Sequence, residues 1–176
     1  MYDDEKELRL CIGVDPGSEG AIALLDYDSE DVLEVKRLPY YKLKTASGNR
    51  SHLSCSELAH LVNDWQSMGT IVGLTCEHLN AVGGFSCFTN WLWGECAGAV
   101  ETMAACYKIP YMTVRATEWQ QFQFPQKGKH DKERSRMVVR QRYPDLCSIL
   151  EAKNTADLAE AILIGDYMRK RRMFGL

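Results

Sequence analysis

The sequence has no apolar run long enough to cross a membrane. Its first ten residues, MYDDEKELRL, lack the basic start and apolar core of a signal peptide. None of the seven cysteines forms a CxxC pair, so we expect neither a structural zinc site nor a disulfide framework. Internal repeats and linker-like segments are also missing. These absences favour a cytoplasmic protein without a membrane partner, and 176 residues, 45% of them hydrophobic, suit a single domain over residues 1–176.

Positive charge is scarce at the start of the chain and abundant later. Residues 1–34 carry eleven acidic side chains and two basic ones, whereas residues 108–142 carry nine basic and three acidic ones. The formal net charge of −3 does not by itself indicate nucleic-acid binding. The asymmetry can still create a local polyanion-binding surface, although a charge run alone is more often a solvated helix face.

The apolar pattern predicts an α/β protein with a mixed sheet covered by helices. Five strands are expected, the first three as an antiparallel meander, at residues 8–15, 20–27, 32–38, 70–79 and 109–114. Four helices are expected: one capped by Ser54 and ending near Met68, then 88–107, 131–142, and a last helix capped by Asn154 or Thr155. Residues 40–52 and 119–130 are predicted to be loops.

Two of the predicted strands end on an acid. Asp15 ends the first strand, directly before a Pro-Gly turn, and Glu77 ends the fourth. On the last helix, Asp157 and Glu160 are three residues apart and share one face. If the two strands are neighbours, their ends and this helix face can meet in one crevice at the edge of the sheet.

Converging acids indicate a metal site. Like charges this close repel one another unless a cation lies among them, and Mg²⁺ prefers such oxygen ligands. Two ions can activate a water and stabilise the leaving oxygen in phosphodiester cleavage. Pro16, Gly17 and Gly20 leave room for a phosphate backbone. Each acid alone also has an ordinary interpretation, as a turn, strand-end, first-turn or solvated helix residue; their combination favours a nuclease.

Four segments of the chain resemble the RuvC-type Holliday junction resolvases, in particular the compact branch common in phages and bacteria. The segments are IGVDPGSEGAIALLD, TCEHLNAVGGFSCFTNWLWGECAGAVETMAACYKIPYMTV, EWQQFQFPQKGKHDKERSRMVVRQRYP and ADLAEAILIGDYM. The resemblance spans about residues 10–168. It implies an α/β fold with a ribonuclease H-like five-stranded mixed sheet flanked by helices. It also implies a homodimer whose active sites each use four carboxylates and two Mg²⁺ ions, with Mn²⁺ accepted.

The resemblance assigns the catalytic and metal-binding roles to Asp15, Glu77, Asp157 and Glu160. One departure concerns Asp157. Many compact relatives carry the first helix acid four residues before the second, at the position where this chain has Ala156. The three-residue spacing found here is similar to that of the bacterial RuvC branch.

The resemblance also implies DNA-binding residues. The family has an aromatic in the loop after the second acid that contacts unpaired bases, and here Phe85 is the candidate, while Phe88 can equally start the next helix as a core residue. The helix with Trp91 and Trp93 matches the dimer-forming helix, although both rings can also simply fill the core. The basic residues that match the family's backbone-contacting segment are Lys127, Lys129, Lys132, Arg134 and Arg136.

The expected activity is that of a structure-selective endodeoxyribonuclease. It would resolve four-way DNA junctions by metal-dependent paired nicking and leave 5′-phosphate ends. A rival hypothesis keeps the fold but places flaps, forks or RNA–DNA hybrids in the site. IGVDPGSEGAIALLD also resembles the phosphate-binding hairpin of sugar kinases and actin-like ATPases, but those need two such domains and a longer chain. A junction-binding protein without catalysis is disfavoured because the acids are intact.

Overall fold

The computed structural model describes residues 7–17, 19–45, 48–79, 84, 86–124, 132–152 and 155–174. This part of the chain forms seven strands: β1 (Arg9–Asp15), β2 (Ala21–Asp26), β3 (Val32–Arg37), β4 (Tyr40–Thr45), β5 (Gly48–Leu53), β6 (Thr70–Glu77) and β7 (Tyr111–Val114). It also forms six helices: α1 (Cys55–Gln66), α2 (Cys87–Cys106), α3 (Ala116–Gln123), α4 (Lys132–Arg142), α5 (Cys147–Leu150) and α6 (Ala156–Lys170). Within it, no helix is both long and apolar enough to span a bilayer.

The main sheet is mixed and has five strands in the order β3-β2-β1-β6-β7. β1, β2 and β3 pair antiparallel as the predicted meander, while β6 pairs parallel with both β1 and β7. The five-stranded mixed sheet predicted from the sequence is therefore confirmed. Because β1 and β6 are parallel neighbours, their carboxyl ends lie at the same edge of the sheet.

Helices cover both faces of this sheet. Alternate residues of β1 point to opposite faces of the sheet. Cys11 packs with the apolar residues of α6 on one face, while Ile12 and Val14 pack with those of α1 and α2 on the other. Gly13 lets α6 lie directly on β1, because a Cβ at that position would collide with the backbone of Ala161 and Gly165. This close approach places the start of α6 beside the end of β1.

Two segments predicted to be loops are regular structure. Residues 40–52 lie in a hairpin, in which β4 and β5 pair from Tyr40 opposite Leu53 to Thr45 opposite Gly48. Its polar and glycine residues suggested a loop, but Tyr40, Tyr41 and Leu43 supply the β-forming side chains. The segment that starts at Trp119 is also not wholly a loop, because α3 runs to Gln123 and buries that tryptophan.

Helix caps agree with the sequence in part. The Ser54 side chain accepts a hydrogen bond from the amide of Glu57, so the predicted cap of α1 is confirmed. Thr155 is the residue before α6, but its hydroxyl donates to the carbonyls of Leu150 and Ala152 instead of capping that helix. The alternative cap, Asn154, lies outside the described residues.

A buried ion cluster holds the second half of α6. Asp166 is fully buried. Its carboxylate oxygens form ion pairs with a nitrogen of Arg169 at 2.7 Å and with nitrogens of Arg142 and Lys170 at 3.0 Å. Arg169, itself only 4% exposed, also donates to the carbonyl of Asp26 at the end of β2. Burial by itself would raise the pKa of Asp166, but the bonds from Arg169 and Lys170 hold it below its usual value.

Candidate metal centre

Three of the predicted acids converge at the carboxyl edge of the sheet. Asp15 is the last residue of β1, and Asp157 and Glu160 lie in the first turn and a half of α6. One carboxylate oxygen of each lies within 4.8 Å of the others. The register of α6 on β1 explains the cluster, since the contact at Gly13 brings the amino-terminal end of the helix to Asp15.

The fourth acid, Glu77, faces the same cavity from the end of β6. This cavity of about 370 Å³ is lined by all four acids and by Gly17, Glu19, Leu79, Trp93 and Lys132. The indole N–H of Trp119 donates to Oε2 of Glu77 at 2.7 Å. Trp119 is fully buried, so this bond fixes the direction in which Glu77 points.

Burial, together with repulsion between neighbouring acids, makes Asp15, Glu77 and Glu160 hard to ionise. Burial raises the pKa of Asp15 well above its usual value, and the neighbouring Glu160, Glu77 and Asp157 raise it further. Burial followed by the charge of Glu77 raises the pKa of Glu160 to about 7. Burial also raises the pKa of Glu77. A divalent cation would relieve this cost, and four oxygen donors in one cavity fit Mg²⁺ or Mn²⁺.

Two cations approach the cluster from its rim. Lys132, at the start of α4, donates to Oδ1 of Asp157 at 2.7 Å, and Arg37, at the end of β3, lies 3.5 Å from Oδ2. The hydrogen bond to Asp157 is the main cause that raises the pKa of Lys132. Ser135 donates to Oε1 of Glu160 at 3.2 Å. The donors therefore hold the two α6 carboxylates in place.

The fold and the site can be compared with known proteins. No protein-family model and no curated protein matches this sequence. The structure is similar to Thermus thermophilus RuvC in complex with a Holliday junction substrate, with a TM-score of 0.57 and 14% identity over 94% of this chain and 96% of that chain. The chain has the RuvC fold. It is also similar to the fowlpox virus resolvase in complex with Holliday junction DNA, with a TM-score of 0.53 and 11% identity over 92% and 99% of the two chains.

These similarities confirm the expected ribonuclease H-like architecture, and the four acids lie at the carboxyl edge of the sheet in this RuvC fold. Of the predicted DNA-binding residues, Lys132 lies at the acid cavity, whereas the Arg134 guanidinium lies over the ring of Phe124 at 4.8 Å. Arg136 forms an ion pair with Glu133 in the same helix. Three further candidates, Phe85, Lys127 and Lys129, lie outside the described residues.

The aromatic residues of α2 divide between two surfaces. Trp93 lines the acid cavity, whereas Trp91 is 47% exposed and stacks on Phe88 with 5.6 Å between ring centroids. The alternative that Trp91 fills the core is therefore wrong. Sequence reasoning also missed Trp119, Ser135 and Arg37, because a hydrogen-bond donor at a distant position leaves no spacing pattern around the acid that it contacts.

Replacing Trp119 by phenylalanine tests the role of its indole N–H. Trp119→Phe keeps most of the buried ring but removes the donor to Glu77, so we expect Mg²⁺ or Mn²⁺ to bind about tenfold more weakly, a typical loss for a residue that orients a metal ligand. Isothermal titration with Mn²⁺ measures this. Trp65→Phe is the matched control, because buried Trp65 donates to Glu34 instead. Equal affinities in the two variants would contradict the role of Trp119.

The pH dependence of stability follows from the raised pKa values. Where folding raises the pKa of an acid, the folded protein binds more protons than the unfolded chain. The stability that such an acid contributes is therefore present at low pH and is lost as the pH rises. For Glu160 the loss falls between pH 4.5 and about 7 and is of the order of 3 kcal/mol. We expect the metal-free melting temperature to fall over that range, and added Mg²⁺ to reverse the fall. A metal-free melting temperature that does not change between pH 4.5 and about 7 would contradict this prediction. In Glu160→Gln the fall in melting temperature should be smaller than in the parent protein.

Proposed function

We propose that this chain is a divalent-metal-dependent endodeoxyribonuclease that resolves four-way DNA junctions by paired nicking. The observation that supports it is the cavity in which Asp15, Glu77, Asp157 and Glu160 meet, at the carboxyl edge of a sheet with the RuvC fold. We place the activity in the cytoplasm of a bacterial or phage-infected cell, with 5′-phosphate and 3′-hydroxyl ends as products.

The four acids would hold two Mg²⁺ ions, or Mn²⁺, in this cavity. When bound, the ions supply Lewis-acid chemistry that activates a water and neutralises charge on the scissile phosphate. The chain's own residues prepare the ligands: Trp119 orients Glu77, Ser135 orients Glu160, and Lys132 holds Asp157. Lys132 is 67% exposed in its side chain, so it can also turn toward a phosphate oxygen of the substrate.

The basic segment that includes α4 would position the DNA backbone. It begins in the described part of the chain at Lys132, beside the acids, and continues along α4 with Arg134 and Arg136. We assign Lys127 and Lys129 to the same surface on the resemblance alone. Contacts from lysine and arginine to phosphates fix register and supply affinity without reading sequence, which suits an enzyme that recognises a DNA shape.

Paired nicking needs two active sites, and we propose a homodimer formed through α2. Gly94 and Gly98 lie one turn apart on its exposed side, and a Cβ added at either meets no atom within 4 Å. A second helix can therefore approach closely there. Gly98→Arg should convert the dimer to a monomer and paired cuts to single nicks, as measured by sedimentation and by product analysis. A dimer that survives this change would contradict the assignment of the α2 face.

The substrate is tested with a panel of labelled DNAs. The pure protein is incubated with Mg²⁺ and a synthetic four-way junction, a linear duplex, a flap, a fork or an RNA–DNA hybrid. We expect symmetrical nicks in opposed strands of the junction only. Equal cutting of flaps, forks or hybrids would support the alternative nuclease, and tight junction binding without cutting in Mg²⁺ or Mn²⁺ would leave a binding protein.

A further inference from the structure

The β4–β5 hairpin is a basic element in an acidic chain. Residues 35–53 carry five lysine or arginine side chains and no aspartate or glutamate, directly after residues 1–34 with their eleven acids. The hairpin lies between the first two of the four segments that resemble the RuvC-type resolvases, so the resemblance assigns no role to it. Two of its basic residues, Lys42 and Lys44, are exposed on β4.

The base of the hairpin is attached to the turn that follows Asp15. The hydroxyl of Tyr40 donates to the carbonyl oxygen of Gly17 at 2.6 Å, and Gly17 lines the acid cavity. The amide of Leu38, just before the hairpin, donates to the carbonyl oxygen of Gly20 at 2.8 Å. These bonds place the start of β4 at the edge of the sheet where the acids meet.

Lys42 and Lys44 lie on the face of the hairpin that begins with Tyr40. Side chains alternate along a strand, so residues 40, 42 and 44 share one face, with about 7 Å between one and the next. The residues across the hairpin from the two lysines are uncharged, since Ser51 pairs with Lys42 and Asn49 pairs with Lys44. The two lysines therefore extend a row of positive charge outward from the rim of the acid cavity.

The hairpin and α4 lie on opposite sides of the acid cavity. Leu53 belongs to the core layer on the α1–α2 face of the sheet and Tyr40 packs against that layer, whereas Val139 of α4 belongs to the layer on the α6 face. Lys132, at the start of α4, lines the cavity. A DNA backbone that crosses the edge of the sheet at the acids therefore meets basic side chains on both flanks.

We propose that Lys42 and Lys44 bind phosphates of the DNA strand on the side of the acid cavity opposite α4. Charge complementarity supports a nucleic-acid backbone as the occupant, and so does continuity with the cavity in which the scissile phosphate would lie. The same face of a second copy of the chain fits less well, because two identical rows of lysine would repel each other. The inference rests on the proposed function and assigns a part of the substrate to the hairpin.

The test measures junction binding by Lys42→Gln/Lys44→Gln in the Asp15→Asn background with Ca²⁺ present, so that cleavage does not interfere. Each phosphate contact adds nearly one to the slope of log affinity against log salt concentration. We therefore expect the slope to become shallower by about two, and affinity to fall about tenfold at about 0.1 M salt. Lys42→Arg/Lys44→Arg keeps both charges and should restore the slope and the affinity.

Hydroxyl-radical footprinting locates the contact on the DNA. Protein with the two lysines should protect the backbone on both sides of the cleavage site, because α4 covers one side and the hairpin the other. Lys42→Gln/Lys44→Gln should lose protection on one side only. With Asp15 intact and Mg²⁺ present, the protein concentration that gives half-maximal cleavage should rise by the same factor as the loss of affinity.

Lys108→Gln/Arg172→Gln is the matched control. It removes the same charge at the opposite edge of the sheet, where Lys108 precedes β7 and Arg172 lies beside Asp28, after β2. A slope, an affinity and a footprint of Lys42→Gln/Lys44→Gln that equal those of the control would overturn the inference and leave the proposed function intact.

Two further outcomes would also overturn the inference. A loss of binding that accompanies dissociation of a dimer in sedimentation would show that the lysine face is an interface between copies. Failure of the parent protein both to bind and to cut the junction would overturn the proposed function and this inference together.

Discussion

Asp15→Asn is expected to lower the rate of junction cleavage by about a thousandfold while junction binding stays within about twofold of the parent protein. Asp15 lies at the centre of the acid cluster, with an oxygen within 4.8 Å of both Asp157 and Glu160. An amide keeps the size of the side chain but removes the charge that helps to hold a divalent ion. Several kcal/mol of electrostatic stabilisation of the reacting phosphate depend on that ion.

The same substitution should have the opposite effect on the folded protein without metal. Burial and three neighbouring acids raise the pKa of Asp15, so its ionised form destabilises the fold near neutral pH. We therefore expect metal-free Asp15→Asn to melt at a higher temperature than the parent at about pH 8, while its response to Mg²⁺ shrinks. Asp64→Asn, on the exposed side of α1, is the control and should change neither quantity. Cleavage that persists in Asp15→Asn would contradict a catalytic role for the acid cluster.

Asp166→Ala is expected to lower the free energy of unfolding by about 3–5 kcal/mol, the largest stability effect that we predict. Asp166 pairs with three cations, two of which, Arg142 and Lys170, have about a third of their side chains exposed and can turn to water. Arg169 is 4% exposed and cannot do so, and the substitution leaves it as a buried charge without its carboxylate. Urea denaturation followed by circular dichroism measures the loss.

A double variant separates the ion pair from simple loss of packing. Asp166→Ala combined with Arg169→Met removes both buried charges, and we expect it to recover at least half of the loss, because an apolar replacement of a buried pair is often nearly neutral. Asp64→Asn again serves as an exposed control. A cost below about 1 kcal/mol for Asp166→Ala would show that the cluster does not stabilise α6.

The acid site could be predicted from the sequence because the ends of the strands and the spacing along one helix are visible in local patterns. Asp15 and Glu77 each end a buried strand, and parallel strands present such ends at one edge. Asp157 and Glu160 share a helix face by their spacing alone. Asp166 lies on the same helix nine residues beyond Asp157, and only the packing of α3 and α4 shows that it belongs to a structural cluster instead.

The interactions that the sequence did not predict join distant parts of the chain. The donation from Trp119 to Glu77 spans 42 positions, and the contact between Lys132 and Asp157 spans 25. Neither distance is encoded in a local pattern. The β4–β5 hairpin was missed because its polar side chains hid an alternation that pairs Tyr41 with His52. Local chemistry thus predicted the ligands, whereas tertiary packing determines what orients them.

Paired nicking is tested most directly on a supercoiled plasmid that extrudes a cruciform. In Mg²⁺ the parent protein should convert the plasmid to a linear form in one binding event, with 5′-phosphate ends that DNA ligase can rejoin. Asp15→Asn should leave the plasmid supercoiled. Products that accumulate as nicked circles, or linear DNA that forms equally in the presence of a metal chelator, would contradict a metal-dependent dimer that cuts two opposed strands of a junction.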